Sequence, residues 1–109
     1  MNRIDGFDWD DGNRAKCQRH GVSIAEIESV FEGRVIIIPD DDHSVVERRL
    51  RAIGRALSGR HVFVVFTVRR SPLGEVIRLI SARYMHRKEV ATHEKANPGA
   101  EEDPDIPKR

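Results

Sequence analysis

The chain has 109 residues, with 19 Lys plus Arg against 18 Asp plus Glu, one cysteine and 39% apolar content. That is core enough for one domain, with no second cysteine for an intrachain disulfide and no apolar run near the ~20 residues of a membrane span. A secreted disulfide scaffold, a membrane protein and a large multidomain enzyme are excluded, and a soluble cytoplasmic protein is expected.

The opening residues lack the apolar stretch of a signal peptide. Phe7-Asp8-Trp9 is short and alternating, and reads as an edge strand or an extended arm with two aromatic anchors. A polar helix is predicted from Asp10 or Asp11 to about His20. Asp10, Asp11 and Asn13 are its capping candidates, and Gly21 is its left-handed terminator. Ser23-Ile24-Ala25-Glu26 matches a capping box, with Val22 and Ile27 as a hydrophobic staple. The helix it opens carries Ile24, Ile27 and Phe31 at helical spacing and ends at Gly33.

Beyond that point the period becomes extended. Val35-Ile36-Ile37-Ile38 is β-branched and stops at Pro39, and Asp40-Asp41-Asp42 reads as a turn or loop. Leu50 to Ala56 forms a second strand of this run, and Leu57-Ser58-Gly59-Arg60 a hairpin turn. Val62 to Phe66 is apolar on both faces and belongs in the middle of the sheet. After a turn at Ser71-Pro72-Leu73-Gly74, Val76 to Arg83 is the last strand. Met85 to about Ala96 forms a charged helix ended by Asn97-Pro98-Gly99. Residues 1–97 are expected to be one domain, and residues 98–109, with four acidic side chains and three prolines, a disordered acidic tail. The resulting fold class is α+β: a small antiparallel sheet, two N-terminal helices and one C-terminal helix, in the order β-α-α-β-β-β-β-α.

The formal charge of +1 is a cancellation. Residues 1–43 hold five basic and ten acidic side chains, residues 44–97 twelve and four, and residues 98–109 two and four. Ten of the twelve basic residues in the middle segment are Arg, whose planar fork matches phosphate oxygens and stays charged. Polyanion binding by this half is therefore expected, against the alternative of solvated strand faces and surface ion pairs. Arg51, Ile53 and Arg55 share one strand face. Arg78 and Arg83 are five apart and face opposite sides of a regular strand; they meet at one site only through a bulge or bend, or if Arg83 lies past the strand end.

Among the other titratable groups, His20 beside Gly21 fits either a helix C-cap or a proton donor. His43 after three aspartates reads as a solvated loop residue and only weakly as a metal ligand. His86, Glu89 and His93 fall on one helical face at spacings of three and four, as intrahelical pairs or as a site. Cys17 reads as a small buried thiol. The sequence contains no Gly-rich phosphate loop, no zinc-spaced Cys–His set and no internal repeat.

Several motifs follow one another in order: Phe7-Asp8-Trp9-Asp10, Asn13-Arg14-Ala15, Arg19-His20-Gly21-Val22-Ser23, Asp42-His43-Ser44, Glu47-Arg48, Ile53-Gly54-Arg55, Gly59-Arg60, Thr67 with Arg69, Ile77-Arg78, Ile80-Ser81-Ala82-Arg83, then Arg87 and Glu89. The succession, over about residues 7–95, resembles the BrnT family of toxins from bacterial type II toxin–antitoxin modules. The resemblance implies a RelE-like fold and a ribonuclease that cleaves messenger RNA to arrest growth. It also implies a BrnA-type antitoxin with a ribbon-helix-helix DNA-binding domain, which with the toxin represses their own operon. Operator DNA would be met only through the antitoxin. Two positions depart from the family pattern, Lys16 where Asn is frequent and His93 where Tyr is frequent.

Such a ribonuclease would use the RNA 2′-hydroxyl as nucleophile, with no metal or cofactor. The expected catalytic residues are His20, Arg83, His86, Glu89 and His93, and the expected phosphate-binding residues Arg55, Arg69, Arg78, Arg87 and Lys88. Arg is too weak an acid to act as base, so proton transfer falls to the histidines or Glu89. The alternative is a catalytically silent RNA- or partner-binding module acting as co-repressor with the antitoxin.

Overall fold

A computed structural model describes residues 4–40, 47–72 and 74–97. The chain forms β1 (Phe7–Asp8), α1 (Asp11–Gln18), α2 (Ile24–Val30), β2 (Val35–Pro39), β3 (Leu50–Arg55), β4 (His61–Ser71), β5 (Gly74–Tyr84) and α3 (Arg87–Ala96). This is the α+β element order expected from the sequence. The acidic loop with Asp41, Asp42 and His43, the turn residue Leu73 and the tail from residue 98 lie outside the described residues.

The five strands form one sheet in the order β1-β5-β4-β3-β2. β2, β3, β4 and β5 are antiparallel neighbours. β1 pairs with β5 in parallel, Phe7 opposite Ile77 and Asp8 opposite Arg78, so the sheet is mixed rather than purely antiparallel. The reason is connectivity. No hairpin joins β1 to a neighbour; α1 and α2 carry the chain from one edge of the sheet to the other before β2 begins, which leaves β1 beside the last strand.

One face of the sheet carries the core. Val62, Val64 and Phe66 of β4, with Ile77, Leu79 and Ala82 of β5, pack against Cys17 of α1, the staple pair Val22 and Ile27, and Val30 of α2. Phe31 stands edge-on to Phe66 at 5.1 Å and meets Phe7 of the N-terminal arm at 5.9 Å. The second aromatic of the arm, Trp9, donates its indole N–H to Glu28 of α2 at 2.9 Å. Burial pushes the Cys17 thiol up to about 11, so it remains protonated as a small apolar side chain.

The helix termini follow the sequence in part. Gly21 (φ 88°) and Gly59 (φ 89°) take the left-handed conformation at the expected turns. Ser23 caps α2, its hydroxyl accepting from the Glu26 amide at 3.2 Å. Glu26 does not return the contact. Its carboxylate instead accepts from the Ser58 backbone N–H at 2.9 Å and the Tyr84 hydroxyl at 3.2 Å, pinning α2 to the β3–β4 hairpin and to β5. The reciprocal box occurs on α1: Asp10 accepts from the Asn13 amide at 2.9 Å, and the Asn13 side chain accepts from the Asp10 amide at 2.7 Å.

β5 contains one extra residue. Val65 lies opposite Ser81 while its neighbour Phe66 lies opposite Leu79, so Ile80 is the bulged residue. Beside the bulge, Asn13 donates its side-chain N–H groups to the carbonyls of Leu79 and Asp8, both at 2.9 Å. It thereby occupies backbone acceptors at the place where β1 has ended.

Asn13 is 7% exposed; its side chain makes three hydrogen bonds, one accepted from the Asp10 amide and two donated to backbone carbonyls, and its own amide donates to Asp10. Removing it leaves buried backbone groups without partners, so Asn13→Ala should cost about 2–3 kcal/mol in chemical denaturation. A loss below about 0.5 kcal/mol, the range of an ordinary surface change, would show that water replaces these bonds at no cost.

Candidate functional site

The bulge decides which arginines share a surface. Directly paired residues project to the same side of a sheet. Arg83 lies opposite Phe63, Ser81 opposite Val65 and Arg78 opposite Thr67. On the other side of β4, Arg51 lies opposite Val65, Ile53 opposite Phe63 and Arg55 opposite His61. Arg51, Arg55, Arg69, Arg78 and Arg83 therefore all occupy the face turned away from α1 and α2. The parity conflict between Arg78 and Arg83 is resolved by Ile80, as the sequence required.

Each of four arginines on this face holds a carboxylate. Arg83 grips Glu89 of α3 with both terminal nitrogens, at 2.7 and 2.8 Å. Arg78 bonds Asp10 at 2.6 Å and lies 3.4 Å from Asp8. Arg51 bonds Asp40, a buried side chain, at 2.6 and 3.0 Å. Arg69 donates its Nε–H to Glu47 at 3.1 Å. The Arg83 pairing, followed by the His86 backbone N–H at 3.0 Å, lowers the Glu89 pKa to about 2. Asp10 is lowered first by the Asn13 amide it caps and then by Arg78. Arg78 and Arg83 are raised in turn by their carboxylates and stay charged.

Phe63 lies at the centre of the cluster. The Arg83 guanidinium carbon is 4.8 Å from its ring centroid and that of Arg51 5.9 Å, both within cation–π range. Phe63 also forms a wall common to two cavities. One, about 430 Å³, lies between the sheet and α3 and is lined by Ile53, Met85, Lys88, Glu89, Thr92, His93 and Ala96 as well. The other, about 230 Å³, is lined by Lys16, Asp40, Arg49, Arg51, Val65, Ile80 and Ser81.

The remaining expected site residues are distributed around this centre. Lys88 and His93 line the larger cavity with Glu89. His86 is not on the helical face with them. It is the N-cap of α3, with extended backbone (φ −75°, ψ 157°) and an exposed ring. Arg87 lines a separate groove with Arg60, Val90 and Glu94. Arg55 is exposed at the end of β3. His20 is exposed in the turn after α1, and among the described residues no hydrogen bond or ion pair connects it to Arg83 or Glu89. No three His, Cys, Asp or Glu side chains among the described residues are grouped as a metal site.

Sequence reasoning missed Phe63, His61 and Tyr84. His61 is buried and stands edge-on to His93 with ring centroids 6.0 Å apart. Its position at the head of an apolar strand carries no hint of a partner more than thirty residues away. The Arg60 guanidinium lies 3.5 Å over the Tyr84 ring. For Phe63 a signal existed: it alternates with the core residues Val62 and Val64, so it must face the side of the sheet that the two N-terminal helices leave open.

Linkage gives the Arg83–Glu89 pair a pH signature. A carboxylate whose folded pKa lies near 2, against an ordinary 4.5, stabilises the fold above pH 4.5 and loses that contribution as pH falls towards 2. Because both partners are about one-third exposed, solvent screening limits the contribution to about 1 kcal/mol. Wild type should exceed Glu89→Gln by that amount near neutral pH, with the gap closing in acid melts; a gap independent of pH would assign Glu89's contribution to packing.

No curated protein matches the chain. A family model described as ribonuclease toxin, BrnT, of type II toxin-antitoxin system matches residues 9–89, from the indole that anchors the N-terminal arm to the carboxylate that holds Arg83. With roughly three quarters of its length inside that match, the chain belongs to the BrnT family of ribonuclease toxins.

Proposed function

We propose that this chain cuts messenger RNA in the cytoplasm without a metal, at the open sheet face centred on Phe63, and that a BrnA-type ribbon-helix-helix antitoxin neutralises it. The observation that carries this reading is the Ile80 bulge, which gathers Arg78 and Arg83 onto one face with Arg51, Arg55 and Arg69. Family membership supports a ribonuclease toxin with an antitoxin partner and an RNA substrate.

In the proposed reaction the RNA 2′-oxygen attacks the adjacent phosphorus as a base removes its proton. The P–O5′ bond then breaks as an acid protonates the leaving oxygen. The products are a 2′,3′-cyclic phosphate and a 5′-hydroxyl. Charge builds on the non-bridging oxygens between these steps. Arg83, held by Glu89 and against the Phe63 ring, is assigned to meet it, and a preorganised donor of this kind contributes about 3 kcal/mol. Arg51 is the second cation at the same ring. Arg78 and Arg69, roughly 15 Å further along the strands, are assigned to the flanking backbone, as are Arg55 and Lys88.

Glu89 is a weak base with its pKa held near 2, so its role is to position Arg83. Proton transfer is assigned to His93, which shares the larger cavity with Glu89, and to His86 at the exposed head of α3. His20 and Arg87 stand apart from this centre and are assigned no step.

Arg83→Ala should reduce cleavage of RNA by antitoxin-free protein about 100-fold or more, with activity retained in EDTA; full activity of the variant would remove Arg83 from the site, and loss of all wild-type activity in EDTA would end the metal-free mechanism. His93→Ala should lower kcat more than KM, and an unchanged pH–rate profile in both His93→Ala and His86→Ala would exclude these imidazoles as acid or base. Expression of the chain alone should arrest growth, and co-expression with a ribbon-helix-helix partner encoded beside it should restore growth. Salt-dependent RNA binding with no product would instead establish the silent co-repressor reading.

A further inference from the structure

We propose that the two cavities on either side of Phe63 are adjoining subsites for one single-stranded RNA: a base site beneath α3 and a phosphate site beside the bulge. The inference rests on the RNA reading above and specifies how the strand lies on the face.

The larger cavity has the character of a base site. At about 430 Å³ it falls within the ~300–1,000 Å³ of small-ligand clefts, which are apolar with a few polar groups at the edge. Ile53, Phe63, Met85 and Ala96 supply apolar wall, Thr92 supplies a hydrogen-bonding group, and Lys88, Glu89 and the proton-transfer candidate His93 complete the rim. Specific recognition of RNA works through unstacked bases held against aromatic and apolar surface. A base that enters here must be unpaired, because the slot lies between a helix and a sheet.

The smaller cavity has the opposite character. Lys16, Arg49 and Arg51 line it against one carboxylate, Asp40, which is already bonded by Arg51. Ser81 adds a hydroxyl. About 230 Å³ suits a phosphate group better than a second base. Lys16 reaches this cavity from α1, and Ile80 and Ser81 line it as a direct result of the bulge.

What joins the two is Phe63, which lines both, with the Arg83 guanidinium 4.8 Å from its ring. A strand with one phosphate at Arg83 thus has apolar wall on one side and three cations on the other. An apolar slot alone would suit many ligands, and a basic pocket alone many anions; an adjoining pair that shares the Phe63 wall, with a guanidinium over its ring, matches the alternation of base and phosphate.

The test uses the full chain and a 2′-O-methyl oligonucleotide of mixed sequence, which binds but cannot be cut through the 2′-hydroxyl. Affinity is read by fluorescence anisotropy across a range of salt. Thr92→Trp, at an exposed position of α3, fills the base site and should weaken binding about 10-fold with an unchanged salt slope; Ala96→Trp should do the same. Lys16→Ala should reduce the salt slope by about 0.7, the value of one single-strand phosphate contact. An abasic substitution at one position of the oligonucleotide should cost wild type about 10-fold and Thr92→Trp nothing. The inference is overturned if both tryptophan variants bind as wild type, or if the abasic and Thr92→Trp losses add in full at every position. Normal subsite behaviour with no cleavage of the matching ribo-oligonucleotide would remove the ribonuclease reading and leave the subsites standing. No binding by wild type would remove both.

Discussion

The extra residue at Ile80 is the constraint from which the arginine-bearing face follows. Side chains of a strand alternate, so each residue inserted or removed exchanges the two faces of everything beyond it. Before the bulge, Ile77 and Leu79 point into the core; after it, Ala82 does. Without the insertion Arg83 would be turned towards Val64 and Phe66, beneath the helices, and an unpaired guanidinium there would cost several kcal/mol. The bulge keeps the core apolar on one side and the arginines together on the other. It also exposes a backbone irregularity, and Asn13 answers it by bonding the Leu79 carbonyl from the first turn of α1. Helix α1 is thus fastened at the point where the sheet changes phase.

Two of the arginine partners serve a second purpose at helix N-termini. Asp10 caps α1 with one oxygen and holds Arg78 with the other. Glu89 holds Arg83 and accepts the His86 amide at the start of α3. A carboxylate suits both tasks, since helix N-termini carry partial positive charge. The consequence is that sheet arginines and helix starts are positioned as units. The acidic first third of the sequence, opposite in charge to the rest, meets the basic half through Asp8, Asp10 and Asp40.

The order of elements was legible because each boundary has a local cause: Gly21 and Gly59 at positive φ, Ser23 as a cap, Pro39 closing a β-branched run. The alternation that aligned Arg51 with Arg55 was legible for the same reason. What escaped depended on distant partners. Nothing in Phe7-Asp8 says that its neighbour is β5 or that the pairing is parallel. Ser23 and Glu26 have the pattern of a reciprocal box, but Ser58 and Tyr84 claim the Glu26 carboxylate through the tertiary fold. The helical spacing of His86, Glu89 and His93 was real, yet α3 starts one residue too late to include His86. The need for a bulge between Arg78 and Arg83 could be stated from parity; its position could not, because Ile80 looks like any other strand residue.

The pre-formed ion pairs also bear on kinetics. A bare cluster of guanidinium groups captures polyanions indiscriminately and quickly, through its long-range field. Here the field of Arg51, Arg69, Arg78 and Arg83 is largely closed upon the protein's own carboxylates. An anion arriving at Arg83 meets a guanidinium already held by Glu89 rather than an empty fork, so its gain is the difference between binding a bare cation and binding one already partly neutralised. Weakly held chains that touch one arginine gain little, whereas a ligand that engages several at once accumulates the difference. Under the proposed function, such a surface trades capture rate for discrimination by multiplicity of contact.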